Sequence, residues 1–191
     1  MSEVRTDGEI DGLVEELQEL ATDASKVFGR LKPAQLNWKP SPEQWSVGQC
    51  FDHLIRANLC FFPDFTRVAA GKYKGSLWAR VSPFSGFVAR FLLGALDPVK
   101  GRKIRAPRVF RPAESDVEAD VINRFTRNLS EAAGLMRATE GVDLRRTMLT
   151  SPASALATYS LLDAYRIVVA HGRRHFEQAR KVTEAEGFPE G

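Results

Sequence analysis

Tyr165-Arg166-Ile167-Val168-Val169-Ala170-His171-Gly172-Arg173-Arg174-His175-Phe176-Glu177-Gln178, close to the C-terminus, decides how the rest of the chain is read. His171 and His175 are four apart, so on a helix both imidazoles stand on one face, roughly 5–6 Å apart at Cβ. Two nitrogens at that separation can grip one metal ion. Followed to both sides, the apolar stripe runs Leu161, Ala164, Tyr165, Val168, the two histidines, Ala179 and Val182. This spacing predicts a helix from residue 159 or 160 to about 182, with both histidines facing inward. Only one other histidine exists, His53, more than a hundred residues upstream.

His53 falls in a second helical pattern. Ser46-Val47-Gly48-Gln49 has Ser and Gln at the spacing of a capping box, which predicts a helix start there. The stripe Val47, Cys50, Leu54, Ala57 and Phe61 carries it to about residue 70, with a kink or break expected at Pro63. His53 flanks that stripe, where a charged imidazolium is badly placed and a neutral, ligated one is at home.

Two more helices complete the pattern. Residues 10–31 repeat apolar side chains every 3.6 positions, and Pro33 is expected to close that first helix. Ser115-Asp116-Val117-Glu118 reads as another capping box, opening a helix through about Thr139 that Gly141 ends. Between the first two helices, Trp38 and Trp45 lie among prolines and are expected to plug one end of the core, with stacking on a ligand as the alternative. Residues 143–158 read as irregular, with a turn at Ser151-Pro152, and no alternating strand pattern stands out. The expected fold is all-α: a four-helix bundle in one domain over residues 1–191.

Residues 71–112 form a 42-residue connection, too long for plain loop. Residues 77–81 and 86–95 read as short helical turns, with Trp78, Phe84, Phe87, Phe91 and Leu92 as apolar anchors. Such a crossover lets the second and third helices lie parallel, which favours an up-down-down-up order.

Composition excludes several classes. Hydrophobic residues are 43% and charged residues 27%, an ordinary globular balance. Cys50 and Cys60 cannot form a disulfide framework, and the N-terminus lacks the apolar core of a signal peptide. The most apolar run, residues 87–96, is too short to span a bilayer. A cytoplasmic protein is expected. Residues 72–112 hold ten Lys/Arg against the single acid Asp97, while residues 1–45 hold nine acids against five bases. That asymmetry suits either an anionic partner or a solvated connection. No nucleic-acid motif accompanies it and the acidic first segment would oppose a polyanion, so neither nucleic acid nor membrane is expected as a partner.

Three neutral imidazoles from two helices suit Zn, Ni or Fe(II) and leave coordination positions open. An open position lowers the pKa of water to near ~7 and turns a thiol into thiolate. Buried histidines that merely satisfy hydrogen bonds produce the same spacing, so at this point both readings stand.

Three segments carry a family resemblance. Trp45-Ser46-Val47-Gly48-Gln49-Cys50-Phe51-Asp52-His53-Leu54 resembles the W-S-[IV]-x-[EQ]-x-x-x-H-[LI] segment of the DinB/YfiT-like family. His171, His175 and Gln178 match its HxxxHxxQ, and Lys103-Ile104-Arg105-Ala106-Pro107-Arg108-Val109-Phe110-Arg111-Pro112 is similar to its K-x-x-A-P-x-x-F-x-P connection. The resemblance implies an up-down-down-up bundle, one divalent metal on His53, His171 and His175, and frequently a homodimer. It also implies the family's range of activities: S-transfer using bacillithiol, mycothiol or glutathione, thiol-dependent isomerisation, or metal-dependent hydrolysis.

The expected function is therefore a metal-dependent enzyme, an S-transferase or hydrolase, in which a low-molecular-weight thiol or water attacks a small electrophile. The alternative is a stress-response or interaction module whose metal is structural or vestigial. Gln178 is the candidate to hydrogen-bond a ligand of the ion. Asp52 and Asp163 are candidates to orient an imidazole, and Cys50 reads as a small buried hydrophobe. The basic connection, residues 72–111, is a candidate to hold an anionic thiol cofactor.

Overall fold

A computed structural model describes residues 4–97, 106–113 and 116–190. The chain is mostly helical. Four long helices, α1 (Val4–Phe28), α3 (Val47–Ala69), α6 (Val121–Arg137) and α7 (Leu161–Thr183), are joined by short α2 (Pro33–Asn37), α4 (Leu77–Val81) and α5 (Ser85–Ala95). α1 packs on α6 and α7, and α3 packs on the same two helices. Among the described residues, no helix is long and apolar enough to cross a membrane.

Two serines start the helices that carry the histidines. Ser46 Oγ accepts from the Gln49 amide, and the Gln49 side chain accepts from the Ser46 amide, so the expected capping box is present. Ser160 caps α7 through the Asp163 amide. α3 continues through Pro63 without a break. The carbonyl that loses its bond to Pro63 is that of Leu59, on the solvent side where water can serve it.

Several boundaries differ from expectation. α1 ends at Phe28, and Pro33 opens α2 rather than closing the helix before it. A proline at the first helical position gives up only an amide that had no partner anyway. α6 begins at Val121, not at Ser115, which lies outside the described residues. Asn37 explains the delay. Its side chain accepts from the Val117 amide at 2.7 Å and donates to the Val117 carbonyl at 3.0 Å, so that backbone is already committed.

The segment expected to be irregular is a hairpin of β1 (Met148–Ser151) and β2 (Ser154–Ser160). The strands are antiparallel, pairing Leu149 with Tyr159 and Thr150 with Thr158, with a bulge beside Ser151. Leu149 and Tyr159 are buried, and α5 covers β2 through a 2.6 Å bond between Ser85 Oγ and Thr158 Oγ1. Packing makes this hairpin; local propensity does not.

The crossover helices fall where expected, but their anchors do not. Trp78, Phe84, Phe87 and Phe91 are exposed and Leu92 only half-buried, while Ala79, Ser85, Ala89 and Ala95 make the buried contacts. The small residues let α5 lie close on the hairpin, which turns the aromatic rings outward.

Candidate metal centre

α3 brings His53 and α7 brings His171 and His175 to one point. Ring centroids are 4.8 Å apart for His53–His171, 4.6 Å for His53–His175 and 4.8 Å for His171–His175. One nitrogen from each ring lies within 4.8 Å of the others. His53 and His175 are buried, and half-buried His171 forms the edge of the cluster nearest solvent. Gly172, between the two α7 histidines, lets α1 come close: a Cβ there would lie 2.6 Å from Leu20 Cδ2.

The proton positions follow from the partners. His53 Nδ1 lies 2.5 Å from the Phe110 carbonyl oxygen, which can only accept. Nδ1 therefore carries the hydrogen, and Nε2 of the neutral ring offers a lone pair to the cluster. His171 Nε2 sits 2.9 Å from that atom. His175 Nδ1 is buried with no hydrogen-bond partner. A buried polar atom without a partner is costly, and this one belongs to a ring of the cluster.

All three rings are held neutral. Burial depresses the pKa of His53, opposed by the Phe110 carbonyl and the Asp52 charge. Burial and then the neighbouring His175, His53 and Arg174 hold His171 well below the ordinary imidazole value. His175 is lowered to about 3, by burial first and then by His53 and Arg174. The Gln178 amide, one turn beyond, is close enough to pull that value upward but leaves Nδ1 without a partner. Neutral imidazole is the form that ligates.

Trp45 walls the cluster, stacking on His175 at 5.5 Å between centroids and tilting against His53 at 4.8 Å. It is thus part of the site's lining, whereas Trp38 plugs an end of the core against Phe188. The Trp45-Ser46 cap itself was the signal, since it places the Trp45 backbone at the helix start, from which the ring reaches His53.

The carboxylates expected to orient an imidazole do otherwise. Asp52 accepts from Arg56 Nε at 2.7 Å and from the Ala113 amide at 2.8 Å. Asp163 accepts from the Ser160 hydroxyl at the start of α7. The orienting group is the Phe110 carbonyl, in a single 3₁₀ turn (Arg108–Phe110) packed on α3. Only the resemblance of that segment pointed to it, and its residues 103–105 lie outside the described ones. Cys50 is fully buried with its thiol pKa pushed up, and it is not among the clustered donors.

The basic connection divides. Arg108 and Arg111 flank Phe110 beside His53. Lys72 and Lys74 follow the end of α3, where the Lys72 amide donates to the Arg67 carbonyl about 21 Å along the axis from His53, too far to hold a ligand at the cluster.

These features define a mostly helical protein with three converging imidazoles, fit to receive a divalent cation. The family model of the DinB superfamily matches residues 16–179, and the chain belongs to that superfamily. Searches against curated proteins and against solved structures found no match.

Proposed function

We propose that His53, His171 and His175 hold one divalent metal ion, Zn, Ni or Fe, and that the protein is an enzyme. In the proposed reaction a thiol or water attacks a small electrophile, as in an S-transferase or hydrolase. The observation that carries the metal assignment is the convergence of three imidazoles, one nitrogen of each within 4.8 Å of the others, in a cluster where His175 Nδ1 is buried without a partner. When bound, such an ion is a Lewis acid that lowers the pKa of a thiol or water. The chain's own residues do the rest. The Phe110 carbonyl fixes the His53 tautomer, Trp45 shields the rings from solvent, and half-buried His171 marks the side open to a reactant. Arg108 and Arg111 are placed to attract an anionic thiol.

We further propose that α1, α3, α6 and α7 form a four-helix bundle in up-down-down-up order within one domain, and that the chain is a homodimer. The reciprocal packing of those helices supports the first, and superfamily membership supports both.

Elemental analysis of the purified protein tests the metal, with close to one divalent ion per chain expected and none in His171→Ala. A full complement in that variant would overturn the assignment. Conjugation of monochlorobimane or chlorodinitrobenzene across a panel of thiols tests S-transfer, and ester and amide substrates test hydrolysis. Metal-dependent turnover supports the enzyme. Full metal occupancy with no turnover in either assay would favour the interaction module instead.

A further inference from the structure

α5 is mostly apolar, with Ser85 and Arg90 its only polar side chains, a composition close to that of a helix buried all round. Here one side, through Ser85, Ala89 and Ala95, packs against its neighbours. Phe84, Phe87 and Phe91, at i, i+3 and i+7 on another side, are 60%, 64% and 53% exposed. Leu77 and Trp78 on α4 and Leu156 on β2 are exposed as well, with Trp78 Nε1 donating to the Leu156 carbonyl at 3.0 Å. Six of the nine large hydrophobic side chains exposed among the described residues therefore gather on α4, α5 and the hairpin. Such clustering marks an interaction surface rather than scattered surface hydrophobes.

The charge around it is mostly positive. Residues 72–96 hold Lys72, Lys74, Arg80 and Arg90 and no acid, and residues 148–160 hold no charge at all. Where α4 meets β1, a cleft of about 340 Å³ is lined by Arg67, Lys72, Lys74, Ser76 and Thr150, with Asp64 and Tyr73 at its sides. Arg67 is paired with Asp64, whereas Lys72 and Lys74 make no ion pair among the described residues. Ser76 Oγ and Thr150 Oγ1 lie 3.2 Å apart and add hydroxyls to the same wall.

We propose that the face formed by α4, α5 and the hairpin docks on an anionic phospholipid surface, its aromatic side chains entering the interface and the adjoining cleft receiving a headgroup phosphate. Exposed Phe and Trp flanked by Lys and Arg is the composition that binds at a lipid boundary without spanning it. A second copy of the chain fits less well, because a twofold contact through this face would set cations against cations, with Asp64 already paired to Arg67. No membrane partner is expected from the sequence, where these aromatics read as buried anchors; the structure leaves Trp78, Phe84, Phe87 and Phe91 exposed. The docking does not depend on the metal.

Vesicle sedimentation tests it with the full chain. The protein is expected to pellet with phosphatidylglycerol-containing vesicles, to stay in solution with phosphatidylcholine alone, and to be released by high salt. Lys72→Glu with Lys74→Glu should weaken partitioning about tenfold or more. Phe87→Ser with Phe91→Ser should weaken it similarly while leaving the circular dichroism and melting temperature unchanged, since both rings are exposed. Failure to pellet with the anionic vesicles, equal binding to both vesicle types, or unchanged binding in both double variants would each overturn the proposal. So would a dimer that Phe87→Ser with Phe91→Ser converts to monomer, which would make this face a protomer interface.

Discussion

His53 Nδ1 and the Phe110 carbonyl oxygen, 57 residues apart in sequence, lie 2.5 Å from each other. That contact sets the tautomer of a ring whose other nitrogen faces the cluster. It depends in turn on Asp52, which accepts from the Ala113 amide three residues past Phe110.

Asp52→Ala is expected to lower metal affinity about tenfold or more without removing a ligand, as loss of an orienting partner typically does. It should also cost about 1–3 kcal/mol of stability, because the Ala113 amide loses its acceptor. Arg56→Ala leaves the Ala113 bond in place but strips the buried carboxylate of its cation, so it should cost stability while changing metal affinity little. Competition against a chromophoric chelator measures the affinity. Equal affinity in wild type and Asp52→Ala would show that the 106–113 segment does not tune His53.

Acid should destabilise the metal-free protein through the same rings. Unfolded imidazoles titrate near 6.5, while burial holds the folded values lower, about 3 for His175. Below about pH 6.5 the unfolded chain therefore binds more protons than the folded one. Stability is full above that pH and falls as pH drops toward the folded values, by about 1.4 kcal/mol per pH unit for each histidine. Urea unfolding with a chelator present, at pH 7 and pH 5, should differ by about 2 kcal/mol or more. Stability that stays level between those two pH values would mean the rings are not held neutral by burial. Metal affinity should fall over the same acid range, since ligation competes with protons.

What the sequence discloses, and what it hides, depends on whether a group acts through local pattern. The long helices were legible because apolar residues recur at helical spacing and because Ser46 with Gln49 caps α3 within four residues. The histidine cluster was legible because only three histidines exist and two share a helix face. The Phe110 carbonyl was not, since a main-chain oxygen has no residue identity to read. The start of α6 was misread because Asn37, 80 residues from Val117, holds that backbone. The outward aromatics of α5 were misread because apolar residues occupy more than one side of that helix, so its sequence picks no single inner face. Only packing of Ala89 and Ser85 on the hairpin chooses one.

Trp45 should report metal binding directly. Its ring lies 4.8 Å from that of His53 and 5.5 Å from that of His175. Titration with Ni²⁺, Co²⁺ or Cu²⁺ is expected to quench part of the tryptophan emission and to saturate at one ion per chain. Trp45→Phe should abolish most of that quenching while calorimetry still detects the ion. Quenching that persists in Trp45→Phe would place the ion near another tryptophan and away from the three histidines.

Gly172 connects packing to the site. A Cβ there would meet the end of the Leu20 side chain at 2.6 Å, so the glycine sets how closely α7 approaches α1 beside both histidines. Gly172→Ala adds one methyl against a flexible tip and gains about 1 kcal/mol of helix propensity, so little net change is expected. Gly172→Val fills the same gap with more bulk and loses that propensity, so it should destabilise by about 1–3 kcal/mol. Because α7 carries His171 and His175, the forced separation should weaken metal binding as well. Leu20→Ala makes room, so the double variant should be more stable than the sum of the single effects by about 1 kcal/mol. Simple additivity in that cycle would show that α7 does not meet α1 through this pair.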